Sequence, residues 1–149
     1  MQISFLRTLP FLSVFLIALI SCGQQEPQID FGKAECAHCR MNVVDRQFAA
    51  VLITEKGRQY AFDDISCMVE YLENGTVAAD QVAGLHVCDH AAPGRFIDAT
   101  TAFYLHGAQF RSPMRGDMAA FATKEARSAA KKDDNVELDW SGVKERSKK

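Results

Sequence analysis

Cys36-Ala37-His38-Cys39-Arg40-Met41 packs three sulfur atoms into six residues. Thiolate and thioether sulfur favour soft metals over hard cations. Positions i, i+3 and i+5 of a tight turn can converge on one ion, and Cu(I) needs only about two to four soft ligands. Four chemistries compete for this segment. A redox pair needs a strand feeding the motif and a helix opening on it, but Met41-Asn42-Val43-Val44-Asp45 has no amphipathic helical pattern. Structural disulfides suit an oxidising compartment. Cys36, Cys39, Cys67 and Cys88 could form two bridges, which would leave no thiolate for a metal. Zinc usually takes two paired knuckles, and only one is present, because Cys67 and Cys88 stand twenty-one positions apart. Cu(I) is the metal this spacing favours.

Other residues enter as candidates with a plainer reading beside each. Cys67 falls in the first turn of an expected helix, where backbone N–H groups stabilise a thiolate; a small buried core residue is the equal alternative. Met68 lies on the apolar face and reads as core. Met114 follows Ser112-Pro113 in a loop without a helical or strand stripe, so proline can aim its thioether. Loop methionines also serve packing. His38 lies between the cysteines, as a ligand or a solvated neighbour. Asp63-Asp64 reads as a helix cap rather than a hard-metal pair. No Ser/His/Asp or Cys/His arrangement is spaced for catalysis, so a carrier rather than an enzyme is expected. The rival function is a periplasmic thiol–disulfide oxidoreductase using Cys36 and Cys39.

The ends bear on compartment. Arg7 precedes the apolar run Phe11 to Ile20, which is short for a membrane span. Leu19-Ile20-Ser21-Cys22 resembles a bacterial lipobox. Residues 1–21 are therefore expected to be a lipoprotein signal peptide and Cys22 the lipid anchor, on the periplasmic face of a cell membrane. Residues 22–33 would form anchor and flexible tether, 34–140 the folded domain, and 141–149 a charged tail, frayed from Lys144 to Lys149. The chain carries 17 Lys+Arg and 19 Asp+Glu, and losing Arg7 with the leader moves the net charge from −2 to −3. Such a balance excludes nucleic acid, which demands basic patches.

Elements that could hold these residues follow from pattern. Gln47–Thr54 and Arg58–Phe62 read as a hairpin turning at Glu55-Lys56-Gly57. A helix follows with Ile65, Met68, Val69 and Leu72 on one face, ending at Asn74-Gly75. Leu85–Cys88 reads as a short strand. Phe96–Tyr104 starts extended and turns helical around Thr100, and Gln109–Ser112 is extended. Asp117–Lys132 is alanine-rich and reads as one helix; Asn135–Trp140 alternates as a last strand. Interleaved strands and helices without long parallel crossovers give an α+β class. Met41 before Ala49-Ala50, and Met114 before Ala119-Ala120, hint at an internal repeat.

The ordered set Cys36-x-x-Cys39-x-Met41, Phe62-Asp63-Asp64, Cys67-Met68, Tyr71, Ile97-Asp98-Ala99, Ala102, Tyr104, Gly107, Ser112-Pro113-Met114 and Phe121 resembles the NosL family. These are lipoprotein copper chaperones of nitrous oxide reductase maturation. The resemblance covers about residues 34–140. It implies a monomeric α+β domain of two similar β-rich ββα-type units, with a treble-clef-like fold also found in organomercurial lyase. Sulfur ligation of Cu(I) is implied too, as is docking on an ABC-transporter-linked complex that assembles the reductase's copper sites. By position, Cys36, Cys39 and Met41 match the family's N-terminal motif, and Met114 matches its methionine after proline. Many members carry glycine where this chain has Arg40; a left-handed backbone there would strain the arginine.

Overall fold

The computed structural model describes residues 25–148. The expected leader 1–21 and the expected anchor Cys22 lie outside the described residues. Two sheets carry the architecture. The first half supplies β1 (Ala50–Thr54), β2 (Gln59–Phe62), α1 (Ile65–Glu73), β3 (Val82–Cys88) and β4 (Phe96–Asp98). The second supplies β5 (Phe103–His106), β6 (Met118–Phe121), α2 (Lys124–Ala130), β7 (Val136–Leu138) and α3 (Trp140–Ser147). Strand orders are β2-β1-β3-β4 and β6-β5-β7, and every strand pair is antiparallel. The expected α+β class of two ββα-type units is what the chain forms.

The hairpin β1–β2 closes where Gly57 sits at φ +78, with its N–H bonded to the Thr54 carbonyl at 2.8 Å. Phe62 ends opposite Ala50. Three residues later α1 begins, capped by Asp64, whose side chain accepts from the Ser66 N–H. Gly75 takes φ +67 just beyond the Asn74 C-cap, a conformation that glycine adopts without a Cβ penalty. The apolar face of α1 buries Ile65, Met68 and Val69 against Leu52, Phe62 and Val87.

The second unit repeats this topology. In each, the first hairpin strand is central, its partner flanks it, a helix follows, and the next strand takes the open side. Phe121 ends β6 three residues before α2, just as Phe62 ends β2 three residues before α1. Even the preceding loops dock alike: the Ala37 N–H bonds the Ala61 carbonyl, and the His90 N–H bonds the Ala120 carbonyl, both at 2.8 Å. The repeat thus relates β1 to β5 and β2 to β6. It does not align Ala49-Ala50 with Ala119-Ala120, because Ala50 opens β1 whereas Ala119 and Ala120 lie in β6.

Several expectations need correction. Asp117–Lys132 is not one helix, because Met118–Phe121 is strand β6 and Thr123 caps the shorter α2. Tertiary placement overrides alanine's helical preference here. Met118 and Ala120 face the shared core, while Ala119 and Phe121 face a second cluster packed against Ala126 and Ala130 of α2. Tyr104 belongs to β5, not to a helical turn; its hydroxyl donates to the Ala99 carbonyl at 2.6 Å. Gln109–Ser112 is not an extended run: a turn at Gln109 and a bend at Phe110 lead into Arg111 at φ +40. Trp140 opens α3 instead of closing a strand, after the Asp139 cap. Residues up to Ser147 are therefore helical rather than frayed, since Val143 is fully buried and Lys148 reaches Glu73 of α1 at 3.5 Å. The expected tether is also docked. Gln28 N–H bonds the Gln59 side chain at 2.9 Å, which donates back to the Glu26 carbonyl at 3.0 Å, and Ile29 and Phe31 pack on the core.

Candidate metal centre

Cys36 to Met41 forms a knuckle rather than a helix start. The Cys36 N–H bonds the Met41 carbonyl at 2.8 Å, and the Arg40 N–H bonds the Cys36 carbonyl at 3.0 Å. Arg40 takes φ +69, so the left-handed conformation expected from the missing glycine is present and the arginine bears it. Its guanidinium pairs with Glu35 at 3.2 Å in solvent. The Ala37 tie to β2 sets the knuckle against the N-terminus of α1, which carries Cys67 in its first turn.

The consequence is a cluster. One ligand atom each from Cys36, Cys39, Asp63 and Cys67 lie within 4.8 Å of one another. Cys36, Cys67 and Asp63 are buried, at 0%, 1% and 2% exposure, while Cys39 is half-buried at the rim. The four described cysteines are free thiols. The knuckle does not feed a helix, so the strand-to-helix geometry of a thioredoxin-like pair is absent from it. Cys88 stands apart from the cluster, on β3.

The thiols are electrostatically unequal. The Cys36 thiol is lowered to about 6, chiefly because the Cys67 thiol hydrogen-bonds its sulfur, aided by the backbone N–H groups of Cys39 and Asp63. Cys67 is pushed well up by the same hydrogen bond to Cys36 and by burial, so it stays the proton donor of the pair. Burial raises Cys39 to about 11, and its sulfur lies 3.4 Å from both Asp63 oxygens. Three soft donors, of which Cys36 gives up its proton most easily, beside one hard one are chemistry suited to a soft cation.

The sequence marks Asp63 only as part of a cap. Asp64 alone caps α1, and Asp63 turns to Cys39 instead. The signal available was the doublet itself, since one helix N-terminus needs one cap. Cys67 joins the cluster and is also buried, so its two readings coexist. Met68 is core, as expected. His38 turns its Nε2 to Glu70 of α1 at 3.0 Å and is outside the cluster. Met41 is 56% exposed beside the knuckle, and Met114 is 37% exposed on the loop between β5 and β6. That loop reaches the same end of α1, where the Met114 N–H bonds the Asp64 carboxylate at 3.0 Å.

The repeat shows why one unit alone carries the site. Counting from the shared backbone ties, Asp89, Ala92, Ala122 and Ala126 stand where Cys36, Cys39, Asp63 and Cys67 do. Three of the four donors are alanines there, and buried Asp89 is engaged by Arg95.

Comparison with known proteins bears on the fold and the family. No curated protein matches the chain. Among solved structures it is similar to the crystal structure of the copper chaperone NosL from Shewanella denitrificans, at TM-score 0.61 and 20% identity, covering 71% of this chain and 85% of that one. The NosL family model matches residues 29–135, most of the chain and every element that builds the cluster. The chain belongs to the NosL family.

Proposed function

We propose that this chain is a membrane-anchored, extracytoplasmic Cu(I) metallochaperone that delivers copper for nitrous oxide reductase maturation. The cluster of Cys36, Cys39 and Cys67 carries this reading, because three soft donors within 4.8 Å match the preference of a cuprous ion. Family membership and the similarity to a copper chaperone structure support it. Cu(I) is the cargo. Cys36 and Cys67 hold it from the buried side, Cys39 from the rim, and the exposed thioethers of Met41 and Met114 supply weaker ligands that an acceptor displaces. Asp63 hydrogen-bonds Cys39 and is too hard an oxygen to compete for the ion. Transfer proceeds by ligand exchange, each Cu–S bond to this chain breaking as an acceptor ligand's bond to the ion forms, with no covalent change to either protein, so the chain is a carrier and not an enzyme.

Removal of residues 1–21 and lipidation of Cys22 confine this monomer to the periplasmic membrane face. Confinement raises its effective concentration near an ABC-transporter-linked maturation complex and the reductase. Buried acyl chain stabilises attachment by about 0.8 kcal/mol per CH₂. Labelling with a radioactive fatty acid that vanishes in Cys22→Ser supports the anchor; label surviving that change removes it. For the cargo, the reduced protein is titrated anaerobically with Cu(I) against a competing chelator. One ion per chain, held more tightly than by glutathione and lost in Cys36→Ser and Cys39→Ser, is expected. Binding no tighter than glutathione's ends the chaperone reading.

A further inference from the structure

We propose that Asp64 and Ser112 are positioning residues that hold Met114 at the mouth of the thiol cluster as the thioether through which Cu(I) enters and leaves. The inference rests on the Cu(I) reading above. Asp64 is fully buried and splits its two oxygens between two tasks. Its Oδ1 accepts from the Ser66 N–H at 2.9 Å and the Ser66 hydroxyl at 3.0 Å, which caps α1. Its Oδ2 crosses to the second unit, where it accepts from the Ser112 hydroxyl and, at 3.0 Å, from the Met114 N–H. Ser112 Oγ in turn accepts from the Asp117 N–H at 2.8 Å. The adjacent residue, Asp63, touches the Cys39 sulfur. Met114 is thus tied through one peptide unit to the rim of the cluster.

A hairpin does not need this loop. The equivalent turn of the first unit spans residues 55–58, whereas 107–117 joins β5 to β6. The longer loop holds Arg111, Arg115 and Asp117 at φ +40, +60 and +49, conformations that persist only where surroundings enforce them. Gly116 lies so close to Asp64 and Ser66 that a Cβ would come within 2.9 Å of both side chains. Yet the clamp does not bury the methionine, which is absent from both core clusters and stays 37% exposed. A buried carboxylate, a buried hydroxyl and a strained loop therefore fix the backbone of one exposed soft side chain at Asp64, the neighbour of the Asp63 that touches Cys39.

The test compares Ser112→Ala, Met114→Leu and the double variant in the full chain. Cu(I) affinity is read by chelator competition, sulfur coordination by X-ray absorption, and stability by thermal unfolding. Ser112→Ala leaves the α1 cap intact, so it separates positioning from folding. It is expected to lower Cu(I) affinity about tenfold, within the range for groups that orient metal ligands, and to reduce the sulfur count as Met114→Leu does. The double variant is expected to bind no more weakly than Met114→Leu alone, because Ser112 acts through Met114. Unchanged affinity and spectrum in Ser112→Ala, or losses that multiply in the double variant, would overturn the proposal. Wild-type Cu(I) binding that survives Met114→Leu undiminished removes the positioning role alone; a wild-type chain that binds no Cu(I) removes the chaperone reading itself.

Discussion

Asp64 joins the two units, and replacing it by Asn or Ala separates its two oxygens. Asparagine caps helices as well as aspartate, so Asp64→Asn keeps an oxygen for the Ser66 N–H. Its amide nitrogen then faces the Met114 N–H, donor against donor. The Ser112 hydroxyl can turn to accept from that nitrogen, so one charge-assisted bond is lost and one N–H is orphaned, about 2 kcal/mol. Asp64→Ala loses the cap as well, about 1 kcal/mol, and strands Ser112, for a total of about 4 kcal/mol. Urea unfolding of the reduced, metal-free protein, followed by Trp140 fluorescence, measures both. With a slope of about 2 kcal/mol/M, the midpoints should fall by about 1 M and 2 M. Equal losses in the two variants would mean that the loop contact carries everything and the cap nothing. No loss in Asp64→Asn would refute the argument outright.

Three further outcomes follow from the geometry. Arg40→Gly should stabilise the fold by about 0.5–1 kcal/mol, because relief at φ +69 outweighs glycine's entropy and the exposed Glu35 pair; a fall in thermal midpoint would contradict this. His90 is lowered by burial, and it packs its ring against Phe48, Phe110 and Phe121. Its unfolded form takes a proton first, so it destabilises as pH drops below about 6.5 and has no effect well above it. Urea midpoints at pH 7.5 and 5.5 should therefore differ less in His90→Phe than in wild type, and an equal difference would remove His90 from the account. Cys88→Ser should leave Cu(I) affinity within about twofold, while Cys67→Ser lowers it at least tenfold, because Cys67 belongs to the cluster and Cys88 does not. Equal effects would dissolve the assignment.

The first unit was legible because its signals are local. Alternation in Gln59–Phe62, Gly57 in the turn, Asp64 before an apolar stripe and Asn74-Gly75 after it all act within a few residues. The second unit is specified by contact instead. Ala119 and Ala120 form a strand because both its faces are covered, a fact that no window of sequence contains. The short α3 has a largely polar sequence and is held by Val143 against the core, so it reads as tail. The docked segment before Ile29 depends on Gln59, over thirty positions away. At the site, the knuckle cysteines declare themselves by spacing, and the strained Arg40 by standing where the resemblance to the NosL family expects glycine. Asp63 and the role of Asp64 do not, because their partners Cys39, Ser112 and Met114 come from other elements.

X-ray absorption at the copper edge of the Cu(I)-loaded, reduced protein tests the central claim most directly. The account predicts a first shell dominated by sulfur, one ion per chain, that loses a sulfur neighbour in Cys36→Ser and again in Cys67→Ser. A shell of nitrogen and oxygen, or a spectrum indifferent to both substitutions, would contradict it.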